Sequence, residues 1–353
     1  MKTTNFKTIL IALGLVPALL SCSKNLSPEQ GTEIGGKALL SVTIGDNSTT
    51  KVSGDQSMND IVIHNAQVFV FNKRTGQIDN AVYKTYTGTS GSCELPALNC
   101  TFGSKEVWAI VNAPKDYVSE GVIKTLGDLK ATTVQLSDNS ESSLVMVGHC
   151  ELEIKDPTEA LTVQVNRLVA AVVLKSVKNE MVVPAYQNKL VITGAYLMNV
   201  PAVQRLDGSI QANDNSNSPT SSWNAFYKKA VSPEPVALLA DAIPETSIAY
   251  GNSYSDIHTF YSFSNSFVKT EAKSNLTDKS STYLVVECKV DGVPCVYPVV
   301  LPDLIPNNKY YVDLVVQHVG GDPAKPWEKV HFCNFSSKVE IVRWVDQSVS
   351  EKI

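Results

Sequence analysis

The chain has 353 residues, 43% hydrophobic and 18% charged, with Lys+Arg 30 against Asp+Glu 35 for a formal net charge of -5. A charged fraction below the usual ~25% excludes a disordered or coiled-coil protein, and at about 150 residues per domain the length suggests two domains. The mild acidity removes nucleic acid as a partner, since that calls for a basic patch or stripe.

In chain order, Lys2 and Lys7 precede an apolar run from Ile9 to Leu20, the layout of a signal peptide. The run ends in Leu19-Leu20-Ser21-Cys22. An apolar residue, a small one and then Cys resembles a bacterial lipobox, in which the Cys thiol is acylated and becomes the new N-terminus. An ordinary signal peptide with an accidental Cys is the alternative. Residues 1–21 are therefore read as a lipoprotein signal peptide and Cys22 as the lipid site. Losing Lys2 and Lys7 takes the net charge from -5 to -7. Ser23 to Gly36 is a polar tether without periodicity.

In Lys37–Ile44, Ala38, Leu40, Val42 and Ile44 fall on one face and Ser41 and Thr43 on the other, the mark of a half-buried strand. A polar stretch from Gly45 to Asp55 follows, with Lys51 its one basic residue. Such a segment is open to proteases. A cut there separates the first strand from the body, and departure of that strand opens an apolar groove. Residues 22–51 carry Lys24, Lys37 and Lys51 against Glu29, Glu33 and Asp46, so their loss leaves the charge unchanged.

Most of the remainder has period two. Strands are expected around Ile61–Val70, Glu106–Val111, Leu161–Val165, Leu168–Leu174, Leu190–Val200, Tyr283–Lys289, Val293–Leu301, Tyr310–Val319 and within Val330–Trp344. Thr125–Ala131 and Ser221–Lys229 are the two short helical candidates, and Ala212–Trp223 reads as a long loop. Strands without intervening helices point to an all-β protein of sandwiches, not to a parallel βαβ sheet. The polar stretch at Lys155–Glu159 is the expected boundary, giving an N-terminal domain 52–157 and a C-terminal domain 158–353.

Beyond Cys22 there are six cysteines: Cys93, Cys100, Cys150, Cys288, Cys295 and Cys333. In Cys288–Cys295 an Asp291-Gly292 type I′ turn sets Val290 opposite Val293, Lys289 opposite Pro294 and Cys288 opposite Cys295. A Cys288–Cys295 disulfide and two reduced, buried thiols both fit this register. One such pair does not make a zinc site, and the five histidines lack metal-ligand spacing. There is no nucleophile elbow, P-loop or dinucleotide fingerprint, so the expectation is no enzyme, no metal and no cofactor.

At the far end Val345, Val349 and Ile353 share a face with Gln347 and Glu351. A final edge strand, a frayed terminus and a strand offered to another molecule all fit this pattern. A removable first strand together with an apolar-studded last one suggests strand addition between subunits.

The order of landmarks resembles that of the major fimbrillins of Bacteroidales, the FimA-type subunits of type V pili. Those landmarks are the lipobox at Cys22, the strand and loop at Ala38–Val52, and Val68-Phe69-Val70-Phe71-Asn72. They continue with Val107–Asn112, Val165–Val172, Gly320–Pro326 and Val339–Trp344. The resemblance implies two tandem transthyretin-like β-sandwich domains completed by donor-strand exchange. It implies export as an outer-membrane lipoprotein, removal of the first strand at the surface, and polymerisation into an adhesive fimbrium. Carried over, Cys22 is the lipid site, Lys51–Val52 the cut, and Ala38, Leu40, Val42 and Ile44 the displaced strand. Val345, Val349 and Ile353 are then the donor-strand anchors. Implied partners are other copies of the chain, accessory and anchor subunits, a maturation protease and host or bacterial surface receptors. Lys51 departs from the family pattern, in which the cut follows Arg. A Lys-directed or broader protease, or a relative that keeps the strand, accounts for it. The alternatives are an accessory, anchor or tip fimbrillin, or a glycan-binding surface lipoprotein using Trp223 or Trp327 as a stacking platform.

Overall fold

The computed structural model describes residues 36–46, 62–198, 200–201, 203–209, 223–224, 237–264, 282–326 and 335–343. Its first half contains β1 (Lys37–Asp46), β2 (Val62–Asn72), β3 (Ile78–Ser90), β4 (Ser92–Glu94), β5 (Leu98–Thr101) and β6 (Gly103–Val111). After these come α1 (Tyr117–Glu120), α2 (Leu126–Ala131), β7 (Thr133–Gln135), β8 (Met146–Ile154) and β9 (Thr158–Arg167). The main sheet runs β3-β2-β6-β8-β9-β1-β4, with β5 also on β1.

Alternation makes this sheet fold over on itself. Ala66, Val68 and Val70 of β2 and Val107, Ala109 and Val111 of β6 enter one core cluster with Ala38, Leu40, Val42 and Ile44 of β1. Their neighbours Phe69, Phe71, Trp108 and Ile110 point the other way, into a second cluster with Tyr117, Leu129 and Val134 of the helical connection. The fold lies between β8 and β9, which pair at Met146↔Arg167 and Val147↔Asn166. Here a Cβ on Gly148 would stand 1.9 Å from the Gln164 carbonyl oxygen, so the close approach admits only glycine. The expected helix at Thr125–Ala131 is α2. Its capping box has the Thr125 hydroxyl accepting from Asp128 N (3.1 Å) and the Asp128 carboxylate accepting from Thr125 N (2.9 Å).

The second half contains β10 (Val169–Asn179), β11 (Leu190–Met198), β12 (Val200–Pro201), β13 (Val203–Arg205), β14 (Trp223–Asn224) and β15 (Ala240–Ile248). It continues with β16 (Ser253–Tyr254), β17 (His258–Phe263), β18 (Tyr283–Val290), β19 (Val293–Val300), β20 (Asn308–Val316) and β21 (Phe335–Arg343). One sheet runs β15-β11-β18-β19 and the other β16-β10-β20-β21, with β17 also on β10. The helix expected at Ser221–Lys229 is not formed at Trp223–Asn224, which pair with Val200–Pro201 as strand. The other residues of that span lie outside the described ones. The β18–β19 hairpin has the expected register, down to Cys288↔Cys295, with positive φ at Asp291 (51°) and Gly292 (78°).

The two halves repeat one plan. The order β3-β2-β6-β8 corresponds to β15-β11-β18-β19. Each half begins with a strand that pairs in parallel with a late one, β1 with β9 and β10 with β20. On its other edge each first strand meets a strand broken in two: β5 and β4 on β1, β17 and β16 on β10. These parallel pairs form without a crossover helix because the paired strands lie far apart in the chain.

The boundary expected at 157/158 also moves. It falls between β8 and β9, two strands of the same sheet, and the chain passes to the second half at Leu168. The halves share the cluster that contains Phe69, Trp108, Leu174 and Tyr297, and β7 of the first pairs with β13 of the second. The described residues from Gly36 to Arg343 accordingly form one compact unit.

Gly148→Ala is expected to destabilise the chain by about 1–3 kcal/mol, because the added methyl meets backbone rather than a movable side chain. Urea unfolding against wild type measures this.

Candidate functional site

β1 carries the feature on which a function can be built. Ala38, Leu40, Val42 and Ile44 are at most 1% exposed, whereas Leu39 on the opposite face is 43% exposed. The strand is central rather than marginal. One edge pairs with β9 from Leu39↔Thr158 to Asp46↔Val165. The other pairs with β5 from Lys37↔Thr101 to Leu40↔Leu98, and with β4 from Thr43↔Glu94 to Gly45↔Ser92. Between those two stretches Leu95 N donates to Val42 O (3.1 Å), and Leu39 N donates to Pro157 O (2.8 Å).

Among the described residues β4 and β5 pair with no strand except β1. Side chains of β3 hold them from the far side. Tyr86 Oη (2.7 Å) and Lys84 Nζ (3.1 Å) donate to Glu94 O, and Asn80 Nδ2 donates to Asn99 O (2.9 Å). Asp79 accepts from Thr101 N (2.9 Å) and Thr101 Oγ1 (3.0 Å). The same carboxylate lies 3.0 Å from Nζ of Lys105, which is fully buried and also donates to Thr101 Oγ1 (2.6 Å). This charge network closes the end of the groove where β1 begins; a buried cation is tolerated there because a carboxylate and a hydroxyl satisfy it.

Lifting β1 out would uncover the groove lined by Val163 and Val165 of β9, Leu98 and Cys100 of β5, Cys93 of β4 and Leu95. Leu40, Val42 and Ile44 each contribute roughly 1.5–3 kcal/mol by burial. Removing the strand also leaves two unpaired edges, a state that proteins ordinarily cover or blunt. The arrangement suits strand exchange.

The other residues singled out in the sequence are distributed as follows. Cys22, Lys51, Val52, Val345, Val349, Ile353 and Trp327 lie outside the described residues, and Trp223 belongs to β14. The described chain stops at Asp46 and resumes at Val62 on the two sides of the expected cut. Cys288 and Cys295 face each other as buried free thiols. Burial pushes the Cys288 thiol well above the ordinary range, and Cys295 upward as well. Sequence reasoning missed Cys93 and Cys100 as groove residues. Their signal was the alternation Cys93, Leu95 and Leu98, Cys100, in short strands that only β1 organises.

No family model matches the chain, and no curated protein matches it by sequence. Solved structures do. A candidate cell adhesion protein from Bacteroides eggerthii aligns at 21% identity with a TM-score of 0.62, over 88% of this chain and 97% of that one. The fimbrillin FimA from Porphyromonas gingivalis aligns at 16% identity and TM-score 0.59, over 87% and 98%. The tip fimbrial protein Mfa3 from Porphyromonas gingivalis, truncated at its C-terminus, aligns at 12% and TM-score 0.54, over 87% and 100%. The chain thus has the fold of the Bacteroidales fimbrillins and their cell-adhesion relatives, over almost its whole length.

Leu40→Ala is expected to destabilise the chain by about 2–5 kcal/mol, while Leu39→Ala stays within about 0.5 kcal/mol. Denaturant midpoints of the two variants provide the comparison.

Proposed function

We propose that the chain is a structural subunit of a surface fimbrium that supports adhesion. It is exported as an outer-membrane lipoprotein on Cys22, cut at Lys51–Val52, and polymerised when the C-terminal strand of one copy enters the groove that β1 leaves in the next. In this reading the repeated halves are two tandem transthyretin-like sandwiches, the first completed by donor-strand exchange. The observation that carries it is the position of β1: a central strand, buried on one face, first among the described strands and separated from β2 by residues 47–61. The fold shared with fimbrillins supports the same conclusion. The role is mechanical, without catalysis. Other copies, accessory and anchor subunits, a maturation protease and surface receptors are the partners it requires.

A second reading, an anchor, accessory or tip subunit, draws on two observations. Lys51 stands where the resemblance to fimbrillins implies Arg, and the tip protein shares the fold as well. An anchor subunit would keep its lipid and β1.

N-terminal sequencing of protein sheared from intact cells separates the two. The shaft reading expects Val52 as the first residue, in material that runs as a high-mass ladder. A surface form still carrying acylated Cys22 contradicts it. Deleting Val345–Ile353 is expected to leave a folded monomer that does not enter fibres; normal fibres from that variant refute the donor role.

A further inference from the structure

At the closed end of the β1 groove, side chains from three strands meet. Lys105 lies on the face of β6 that carries Val107, Ala109 and Val111, and its side chain is fully buried. Asp79 of β3 stands against it, Oδ2 lying 3.0 Å from Nζ, with a side chain 11% exposed. Thr101 of β5 touches both. Its hydroxyl accepts from Lys105 Nζ (2.6 Å) and donates to Asp79 Oδ1 (3.0 Å), while its N–H donates to Asp79 Oδ2 (2.9 Å).

This arrangement holds an amine and a carboxyl group in reacting positions. With Nζ 3.0 Å from one carboxylate oxygen, the carboxyl carbon one bond away lies near the roughly 3–3.5 Å at which a held nucleophile attacks. Two charges kept out of water are costly, and an amide removes both while keeping one polar N–H and one C=O. Thr101 supplies what such a step needs. Its N–H faces the oxygen on which negative charge develops, and its hydroxyl joins the amine to the other oxygen.

We propose that Lys105 and Asp79 join in an intramolecular amide cross-link. Nζ attacks Cγ of Asp79, the Nζ–Cγ bond forms, and the bond from Cγ to Oδ1 breaks. Counted from the ammonium and the carboxylate, two of the three Nζ protons leave with Oδ1 as one water, and the third remains as the amide N–H. The Thr101 hydroxyl passes a proton from Nζ to Oδ1. No oxidant, reductant or second reactant enters.

The bond closes a ring from Asp79 to Lys105 that contains the whole of β4 and β5. Among the described residues those two strands pair with no strand except β1. Joining both ends of their segment restricts the chain and holds the groove wall in place whatever strand fills it. That consequence rests on reading β1 as displaceable; the bond itself does not.

The test is peptide mass spectrometry of the full chain, denatured and digested with trypsin. An acylated Lys105 is no longer cut. The expected product is therefore Thr75–Lys84 joined to Thr85–Lys115, lighter than the two peptides by one water. Asp79→Asn is expected to give the same linked product with loss of ammonia in place of water, which an ion pair does not do. Lys105→Arg is expected to give none. In chain sampled at intervals after synthesis, Thr101→Val is expected to link at least about tenfold more slowly than wild type, and Thr101→Ser at a similar rate to wild type.

Thr75–Lys84 and Thr85–Lys105 recovered free and in full from wild type overturn the proposal. So does a linked product that persists in Lys105→Arg, and linking of Thr101→Val at the wild-type rate overturns the part given to Thr101. A cross-linked subunit that never forms fibres leaves the bond standing while the polymer reading falls. Fibres built from unlinked subunits do the reverse.

Discussion

A strand in the middle of a sheet must have both of its edges hydrogen-bonded, and the strands beside it depend on it for the same reason. β1 meets that condition between β9 on one side and β4–β5 on the other. The rest of the first half is arranged around this fact. β4 and β5 are too short to stand alone and lean on β3 through side chains. The inner faces of β2 and β6 close over the residues that β1 supplies. The strand that holds the half together is also the first of the described strands.

The second half shows the same plan. β10 occupies the position of β1, with β20 parallel on one edge and β16–β17 on the other. Body precedes it through β9 and follows it through β11, so β10 cannot leave without unfolding what surrounds it. β1 is the first of the described strands, and residues 47–61 separate it from the next, β2. One chain break there converts a covalent element into a bound peptide. The sequences reflect this: β10 is apolar on both faces from Val169 to Leu174 and buried on both, while β1 alternates because its outer face is open. A strand with one polar face can exist outside the sheet more readily than one without.

Much of this was legible in the residues. The alternation at Ala38–Ile44 marked β1, the Asp291-Gly292 turn set the β18–β19 register, and Thr125–Ala131 stood out as a short helical candidate where α2 forms. What could not be read was long-range pairing. The parallel neighbours β9 and β20 have no turn to announce them, so the polar Lys155–Glu159 stretch looked like a boundary when it only separates two strands of one sheet. Cys93 and Cys100 were invisible as groove residues for the same reason: β4 and β5 acquire meaning only from the strand they flank. Lys105 was not singled out, since its partner Asp79 lies 26 positions earlier on another strand.

The central claim is that β1 alone closes the groove and leaves without unfolding the rest. Hydrogen exchange on subunit cut between Asp46 and Val62, with and without the released strand, tests it most directly. The account predicts that strand release removes amide protection at Leu98–Thr101 and Thr158–Val165, while β10 and β18 stay protected. Protection lost everywhere together, or kept along β9 and β5 after the strand has gone, contradicts it.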